Sequence, residues 1–404
     1  MSIANNVHKL LSNGADTSFI DELTPEVNEE SRILSARRTI RSHLRDEFAA
    51  LSRNRSIQVQ FGLLKQDPFA AQPLLLRPKF FTQGSFAYGT WNAPAHRPPQ
   101  EIDLDDGMYL PLSVFEQAGS PKVASAALFD VMDHMLGDLC RRQGWKLVND
   151  KKTCCRIDLG FGAHVDIPLY AVPDEDTRLL EKAAESLNFM AHDGRIALAT
   201  AFSRQPEVFR LSSDKVWLAH RTKGWHQSDP RQLHDWFQQK TQIYGDQLRR
   251  VCRYVKAWRD WYAKESPLSS IALMAHVVQV FETVDAVEDR DDLTLLSVAE
   301  RLPTLLATPV PNPVSPAQML DDSLTVVQRQ QATNAAEIWR GTLVKSLSEI
   351  FDARRVIETL QQAFGPRIPT RPDLVQIASG EKVVRSVAPT ILPTREIPGR
   401  SVSG

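Results

Sequence analysis

Apolar residues recur at Ile33, Leu34, Ile40, Leu44, Phe48 and Leu51. That spacing places them on one face of a helix, so residues 24–51 are expected to form one long amphipathic helix. A proline-rich stretch over 68–78 interrupts the pattern and is expected to be a connection. Short apolar runs with strand character follow at 80–81, 101–110, 145–148, 153–160 and 164–171. An unbroken helical pattern over 123–143 and a proline-rich loop over 92–99 separate them. From about residue 175 the period changes to that of helices. Ser228-Asp229-Pro230 has the form of a helix start, since Ser and Asp cap free amides and Pro is tolerated in the first turn. Over 246–264, Leu248, Val251, Cys252, Val255 and Trp258 make one apolar face. Further helices are expected over 269–284 and 293–306 and, after Pro309, Pro311, Pro313 and Pro316, over 317–364. The last residues contain six prolines from Pro366 to Pro398 and have the character of an extended tail. The expected architecture is α+β: a small sheet-bearing lobe over 1–200, a helical lobe over 201–375 and a tail over 376–404.

Composition narrows the partners. The 404 residues are 42% hydrophobic and 24% charged, too apolar and balanced for a disordered chain. Forty-eight basic residues against 49 acidic ones give a formal net charge of -1. A protein that coats long nucleic acid usually carries a cationic excess, so such a partner is not expected, whereas small anions need only a local basic cleft. The four cysteines, Cys140, Cys154, Cys155 and Cys252, form no CxxC pair and are expected to be reduced and mostly buried. The N-terminus has no signal-peptide pattern, and no apolar stretch approaches the roughly 20 residues that span a bilayer. The expectation is a cytoplasmic protein with no membrane partner.

The chemistry concentrates in two segments. Asp103 and Asp105 lie two apart on an expected strand, so both carboxylates share one face. Adjacent carboxylates repel unless a cation lies between them, and hard divalent ions favour such oxygen ligands. Asp106 points the other way. Gly84-Ser85, just upstream, offers amides, a hydroxyl and close backbone approach, as phosphate-binding turns do, although no P-loop or GxGxxG motif occurs. Asp166 interrupts an apolar strand between Val165 and Ile167. Alone it would be a hydrogen-bonded structural acid; beside Asp103 and Asp105 it completes a three-carboxylate site able to hold two metal ions.

A GS turn, a DxD strand and a third Asp on a neighbouring strand, ahead of a helical lobe, resemble the DNA polymerase β-type nucleotidyltransferases. The segments FFTQGSFAYGT, EIDLDDGMYLPL, TCCRIDLG, HVDIPLYAVP, RRVCRYVKAWRDW and LSSIALMAH extend the resemblance to the cGAS/DncV-like nucleotidyltransferases of bacteria (CD-NTases), closest to the clade that makes 3′,3′-cyclic GMP-AMP. The likeness runs from the N-terminal helix to about Val284, returns at the terminal Ser-Val-Ser-Gly404, and is poor after Leu306. It implies a polymerase β-like lobe with a mixed sheet, a helical lobe and a cleft between them. It implies Asp103, Asp105 and Asp166 as ligands of two Mg2+ ions, or Mn2+, with Asp166 helping to activate a 3′-hydroxyl. Gln83, Gly84 and Ser85 would meet a triphosphate, and Tyr88 would stack on a base. Lys256, Ser269 and Ser270 would close on phosphates from the helical lobe. The implied activity is synthesis of a cyclic dinucleotide from ATP and GTP by a monomeric enzyme. The setting would be CBASS antiphage defence, with an effector that the product activates. The implied fate of Gly404 is conjugation to cellular targets by a ubiquitin-like conjugating enzyme; otherwise it is an ordinary chain end.

Several alternatives stand beside these. Arg249, Arg253 and Lys256 form a basic stripe that is either a solvated helix face or, for Lys256 in particular, a phosphate contact. Arg156 either reaches a nucleotide or pairs with a neighbouring acid such as Asp158. Arg37, Arg41 and Arg45, spaced four apart, bind an anion or pair with nearby acids, the latter being favoured. The acidic run 174–176 has loop character and no assigned role. For the whole protein the alternatives are another cyclic di- or trinucleotide product, a poly(A)- or CCA-adding RNA nucleotidyltransferase, and an inactive nucleotidyltransferase fold used as a scaffold.

Overall fold

A computed structural model describes residues 3, 5–14, 17–60, 76–112, 115, 121–173, 215–228 and 230–377. The 68–75 part of the proline-rich connection, the acidic run 174–176, Asp229, the expected lobe boundary at 200–201 and Gly404 lie outside them.

Among the described residues the first elements are the short helices α1 (His8–Leu11) and α2 (Phe19–Glu22) and the long helix α3 (Val27–Leu51). They are followed by α4 (Arg55–Gln60), β1 (Lys79–Thr82), α5 (Gly84–Tyr88), β2 (Ile102–Pro111) and α6 (Pro121–Gln143). Then come β3 (Lys146–Val148), β4 (Cys154–Asp158), β5 (Ala163–Val172), β6 (Trp217–His220) and β7 (Gly224–Gln227). These seven strands form one mixed sheet with β1-β2-β5-β4-β3 as its spine. β2 and β5 run parallel, β1 is antiparallel to β2, and β4 and β6 pair antiparallel with successive halves of β5.

Alternation along the two central strands sorts their side chains. Ile102, Leu104, Met108 and Leu110 of β2 join Ala163, Val165, Ile167, Leu169 and Ala171 of β5 in a core completed by α3 and α6. The face of α3 that meets them is the one its apolar spacing predicts, with Ile33, Leu34, Ile40, Leu44, Phe48 and Leu51 all buried. The opposite face of the sheet carries Asp103, Asp105, His164 and Asp166, with Tyr109 and Tyr170 stacked further along it. One face is therefore spent on packing, and the other is left for chemistry.

The helical part comprises α7 (Pro230–Tyr244), α8 (Asp246–Tyr262), α9 (Ser270–Phe281), α10 (Asp291–Leu306), the hairpin β8 (Pro311–Asn312) and β9 (Ser315–Met319), α11 (Val326–Ser348) and α12 (Ala353–Phe364). The predicted apolar face of α8 is fully internal. Residues near the N-terminus, Val7, Leu10, Leu11, Phe19 and Leu23, belong to this second core, and Asn6 bridges to Gln376.

The structure differs from the sequence-based expectation in two places. β6 and β7 extend the sheet where helices are expected from residue 175 onward. The expected helix over 317–364 is instead a strand end and two helices. Thr325 and Gln328 form a capping box that starts α11, and the Asp352 side chain caps α12. All four cysteines are free and buried, as expected. No described helix is long and apolar enough to cross a membrane.

Candidate functional site

The parallel register of β2 and β5 sets Asp103 opposite His164 and Asp105 opposite Asp166. Because each pair of residues is two apart on its strand, all four side chains share one face and form a two-by-two grid. The antiparallel register of β4 adds Arg156 beside Asp166. Asp105, Asp166 and Arg156 thus form one row across three strands.

Arg156 grips Asp166 bidentately, with Nε and Nη2 each 2.6 Å from a carboxylate oxygen. This corrects the expected structural partner of Arg156: the register turns it to Asp166, while Asp158 accepts from the Gly160 amide. Burial works against the Arg156 charge, but Asp166 outweighs it and raises the guanidinium pKa. The Asp105 carboxyl is pushed well above the usual range by burial and then by Asp103 and Asp166. His164 Nδ1 lies 2.7 Å from Glu101 Oε2, and Nε2 lies 3.0 Å from Asp103 Oδ1. That second contact is not aligned as a hydrogen bond, so both buried atoms lack a hydrogen-bond partner. Burial opposes charge on His164, but Asp103 prevails and raises its pKa.

The donor set fits a metal ion. Ligand atoms of Asp103, His164 and Asp166 lie within 4.8 Å of one another and could hold one. The strained charge on Asp105 and the orphaned Asp103 oxygen are the features a cation relieves. His164 was missed as a site residue, although its place two residues before Asp166 on the same strand is the signal that would have found it.

Gly84 has φ +65° and its α-carbon lies directly against Asp105, so a β-carbon there would overlap the carboxylate. This close approach, not only φ, demands glycine. Gly84, Ser85 and Tyr88 line a cleft of about 550 Å3 together with Asp103, Asp105, Arg156, His164, Lys256, Arg259, Ser269 and Ser270. Gln83 turns away: its amide donates to the Tyr109 hydroxyl at 2.6 Å and accepts from Tyr170 at 3.2 Å. Gly107 leaves the space that this amide occupies. Tyr88 is buried, its ring stacked on His234 and edge-on to Phe237.

On the helical side, Lys256 is buried with Nζ 2.6 Å from the Thr90 carbonyl. Burial and then Arg259 lower its pKa to about 8. Ser269 caps α9, accepting from the Ala272 amide, and Ser270 opens the helix. The other two members of the basic stripe do not line the cleft. Arg249 donates to the Tyr88 carbonyl and Gln238, and Arg253 donates to Asn92 and Thr24. Both fasten the α5–β2 region to α8. In the N-terminal row, Arg41 pairs with Asp106, Arg37 donates to Thr82, and Arg45 lies over the Phe80 ring.

Comparison with known proteins bears on the family and the fold. The family model for the nucleotidyltransferase domain of DncV-like cyclic GMP-AMP synthases matches residues 78–170, and that for the C-terminal domain of cyclic GMP-AMP synthase matches 245–377. The second match includes the segment after Leu306 where the sequence resemblance is poor. The chain is 34% identical to a cyclic GMP-AMP synthase of Vibrio cholerae over 315 residues, 75% of this chain and 70% of the relative. It is 38% identical to one from Escherichia coli over 210 residues, 51% of this chain and 48% of that relative. The fold matches the Vibrio cholerae DncV cyclic AMP-GMP synthase in complex with a linear intermediate, pppA(3′,5′)pG, with a TM-score of 0.74 and 26% identity. That match covers 94% of this chain and 100% of the other. A mutant of that protein in complex with ATP and GTP matches with a TM-score of 0.75, 27% identity and coverage of 93% and 100%.

Proposed function

The chain belongs to the DncV-like cyclic GMP-AMP synthase family, which are nucleotidyltransferases, and from that premise we propose that it joins ATP and GTP into 3′,3′-cyclic GMP-AMP. The observation that carries this proposal is the grid of Asp103, Asp105 and Asp166 on one sheet face, with Asp103 and Asp105 lining a cleft that Lys256 and the amino end of α9 also line.

In this scheme the 3′-hydroxyl of one nucleotide attacks the α-phosphorus of the other. A P–O bond forms, the bond to the β-phosphate breaks and pyrophosphate leaves. Asp166 takes up the hydroxyl proton, its carboxylate held in place by Arg156. A second transfer on the repositioned linear product closes the ring. Asp103, Asp105 and Asp166 would hold two Mg2+ ions, which when bound neutralise phosphate charge and lower the hydroxyl pKa. Gly84 and Ser85 approach the phosphates on one side, Lys256, Ser269 and Ser270 on the other, and Tyr88 borders the base. Gln83 anchors the turn, its backbone N–H donating to the Asp105 carbonyl at 2.9 Å. The tail over 376–404 stays as proposed, but the boundary expected at 200–201 moves: the sheet-bearing lobe takes in β6 and β7, the helical lobe begins at α7, and Val7, Leu10, Leu11, Phe19 and Leu23 pack into the helical core. The proposed setting is a cytoplasmic monomer in CBASS defence, with a product-activated effector and conjugation through Gly404.

Replacing Asp103 and Asp105 together by Asn tests the site. Pyrophosphate release should fall to background while the thermal melting profile is kept. A double variant that still turns over at the wild-type rate would sink the assignment. Deleting Gly404 should leave nucleotide synthesis intact and remove covalent conjugates from a denaturing gel; conjugates that persist would refute that role.

A further inference from the structure

We infer that Arg259 is a positioning residue that aims the Ser270 hydroxyl as a donor to the substrate phosphates, an inference resting on the proposed meeting of Ser270 with phosphate. Arg259 lies on the last turn of α8, one turn after Lys256, and lines the same cleft. Four of its five N–H donors are committed within the protein. Nε and Nη2 donate to Asp260 Oδ1 at 2.9 and 2.7 Å. Nη1 donates to the Leu268 carbonyl at 3.0 Å and to Ser270 Oγ at 2.9 Å.

A hydroxyl has one hydrogen to give and two lone pairs to receive. Arg259 occupies a lone pair of Ser270, so the Ser270 hydrogen must be directed elsewhere. Among the described residues it meets no acceptor. Ser270 is the first residue of a twelve-residue helix whose opening amides have no intrahelical partner. The hydroxyl is thus a donor beside other donors on the wall of a cleft. The charge of Arg259 is itself answered by Asp260, so its net attraction for an anion is small. What it supplies is the orientation of a hydroxyl, and the fork geometry that lysine lacks supplies it.

Affinity for a non-hydrolysable nucleoside triphosphate, measured calorimetrically, and the steady-state constants test this on four variants: S270A, R259Q, R259K and R259Q/S270A. Ser270→Ala should weaken binding about tenfold, as loss of one charge-assisted hydrogen bond does. Arg259→Gln and Arg259→Lys should each do nearly the same, raising KM with kcat little changed. In the double variant the Arg259 change should add nothing. Melting curves establish that each variant is folded, and the lysine variant separates geometry from charge. Rescue by lysine, or an undiminished loss on changing Arg259 in the S270A background, overturns the positioning role while leaving the phosphate site standing. Wild-type affinity in S270A overturns the phosphate assignment and the inference together.

Discussion

Asp105 lies against the bare α-carbon of Gly84, which itself sits at φ +65°. Gly84→Ala should therefore displace the carboxylate as well as strain the turn. Strain at such a position is of order 1–3 kcal/mol, and misplacement of a reacting group by about 1 Å can cost a hundredfold in rate. The expected outcome is a loss of turnover of about a hundredfold with a fall of a few degrees in melting temperature; near-normal turnover would show that the contact is dispensable. Lys256 gives a pH dependence. Its ammonium is lowered to about 8, first by burial and then by Arg259, so it becomes neutral as pH rises through that value. Only the charged form attracts a phosphate, so KM for nucleotide should be flat below pH 7 and climb above 8. Lys256→Arg should flatten the climb, because guanidinium keeps its proton. Asp103 and Asp105 were legible because period two alone puts them on one face, and Asp166 because it interrupts an apolar run between Val165 and Ile167. The partner of Arg156 was not, because it depends on which strands pair and in what register.

Elements are joined by buried charge as much as by apolar packing. Asp106 follows the alternation of β2 inward, where Arg41 of α3 takes both its oxygens and Thr82 of β1 donates to it at 3.0 Å. Removing the guanidinium leaves a carboxylate that is almost wholly buried without its counter-ion. Breaking such a pair costs about 3–5 kcal/mol, whereas replacing both partners by apolar groups can be neutral. Arg41→Ala should accordingly lower the chemical-denaturation midpoint strongly, and Arg41→Met with Asp106→Leu should recover much of it. Equal effects of the single and double variants would show that the pair contributes little. The row of arginines was legible as a helix face, and pairing with acids was the favoured outcome; Arg41 follows it with Asp106, whereas Arg37 turns to Thr82 and Arg45 to the Phe80 ring. The long helices were legible for the same reason, that their apolar period is unbroken. β6 and β7, four residues each, are too short for period two to declare itself, and their identity comes from pairing with β5. The break between α11 and α12 carries its own cap signals at Thr325 and Asp352, and those were outweighed by the continuous helical composition around them.

At the scale of the molecule, the chain's first residues complete its last domain. Leu10, Leu11, Phe19 and Leu23 are essentially inaccessible within the helical core, where Phe19 stacks on Tyr254. Val7 donates its amide to Asp292, which is itself buried and paired with Arg290. Each such apolar side chain contributes about 1.5–3 kcal/mol, so their sum is comparable to a whole domain's stability of 5–15 kcal/mol. Removing residues 1–23 should give a protein without a cooperative melting transition; a truncated chain that melts like the intact one would contradict this packing. Sequence periodicity could not reveal this, since the contacts span nearly the full chain. Among the described residues a cleft brings Asp103 and Asp105, with Asp166 beside them on the same sheet face, together with a lysine and a helix amino end, and in the proposed function that cleft takes two nucleotides and no template. The direct test is mass spectrometry of the products formed from ATP and GTP with Mg2+ and no nucleic acid added. The predicted result is a cyclic dinucleotide containing one adenosine and one guanosine, with two pyrophosphates released per ring. No cyclic product under those conditions, or nucleotide incorporation only when an RNA acceptor is supplied, would contradict it.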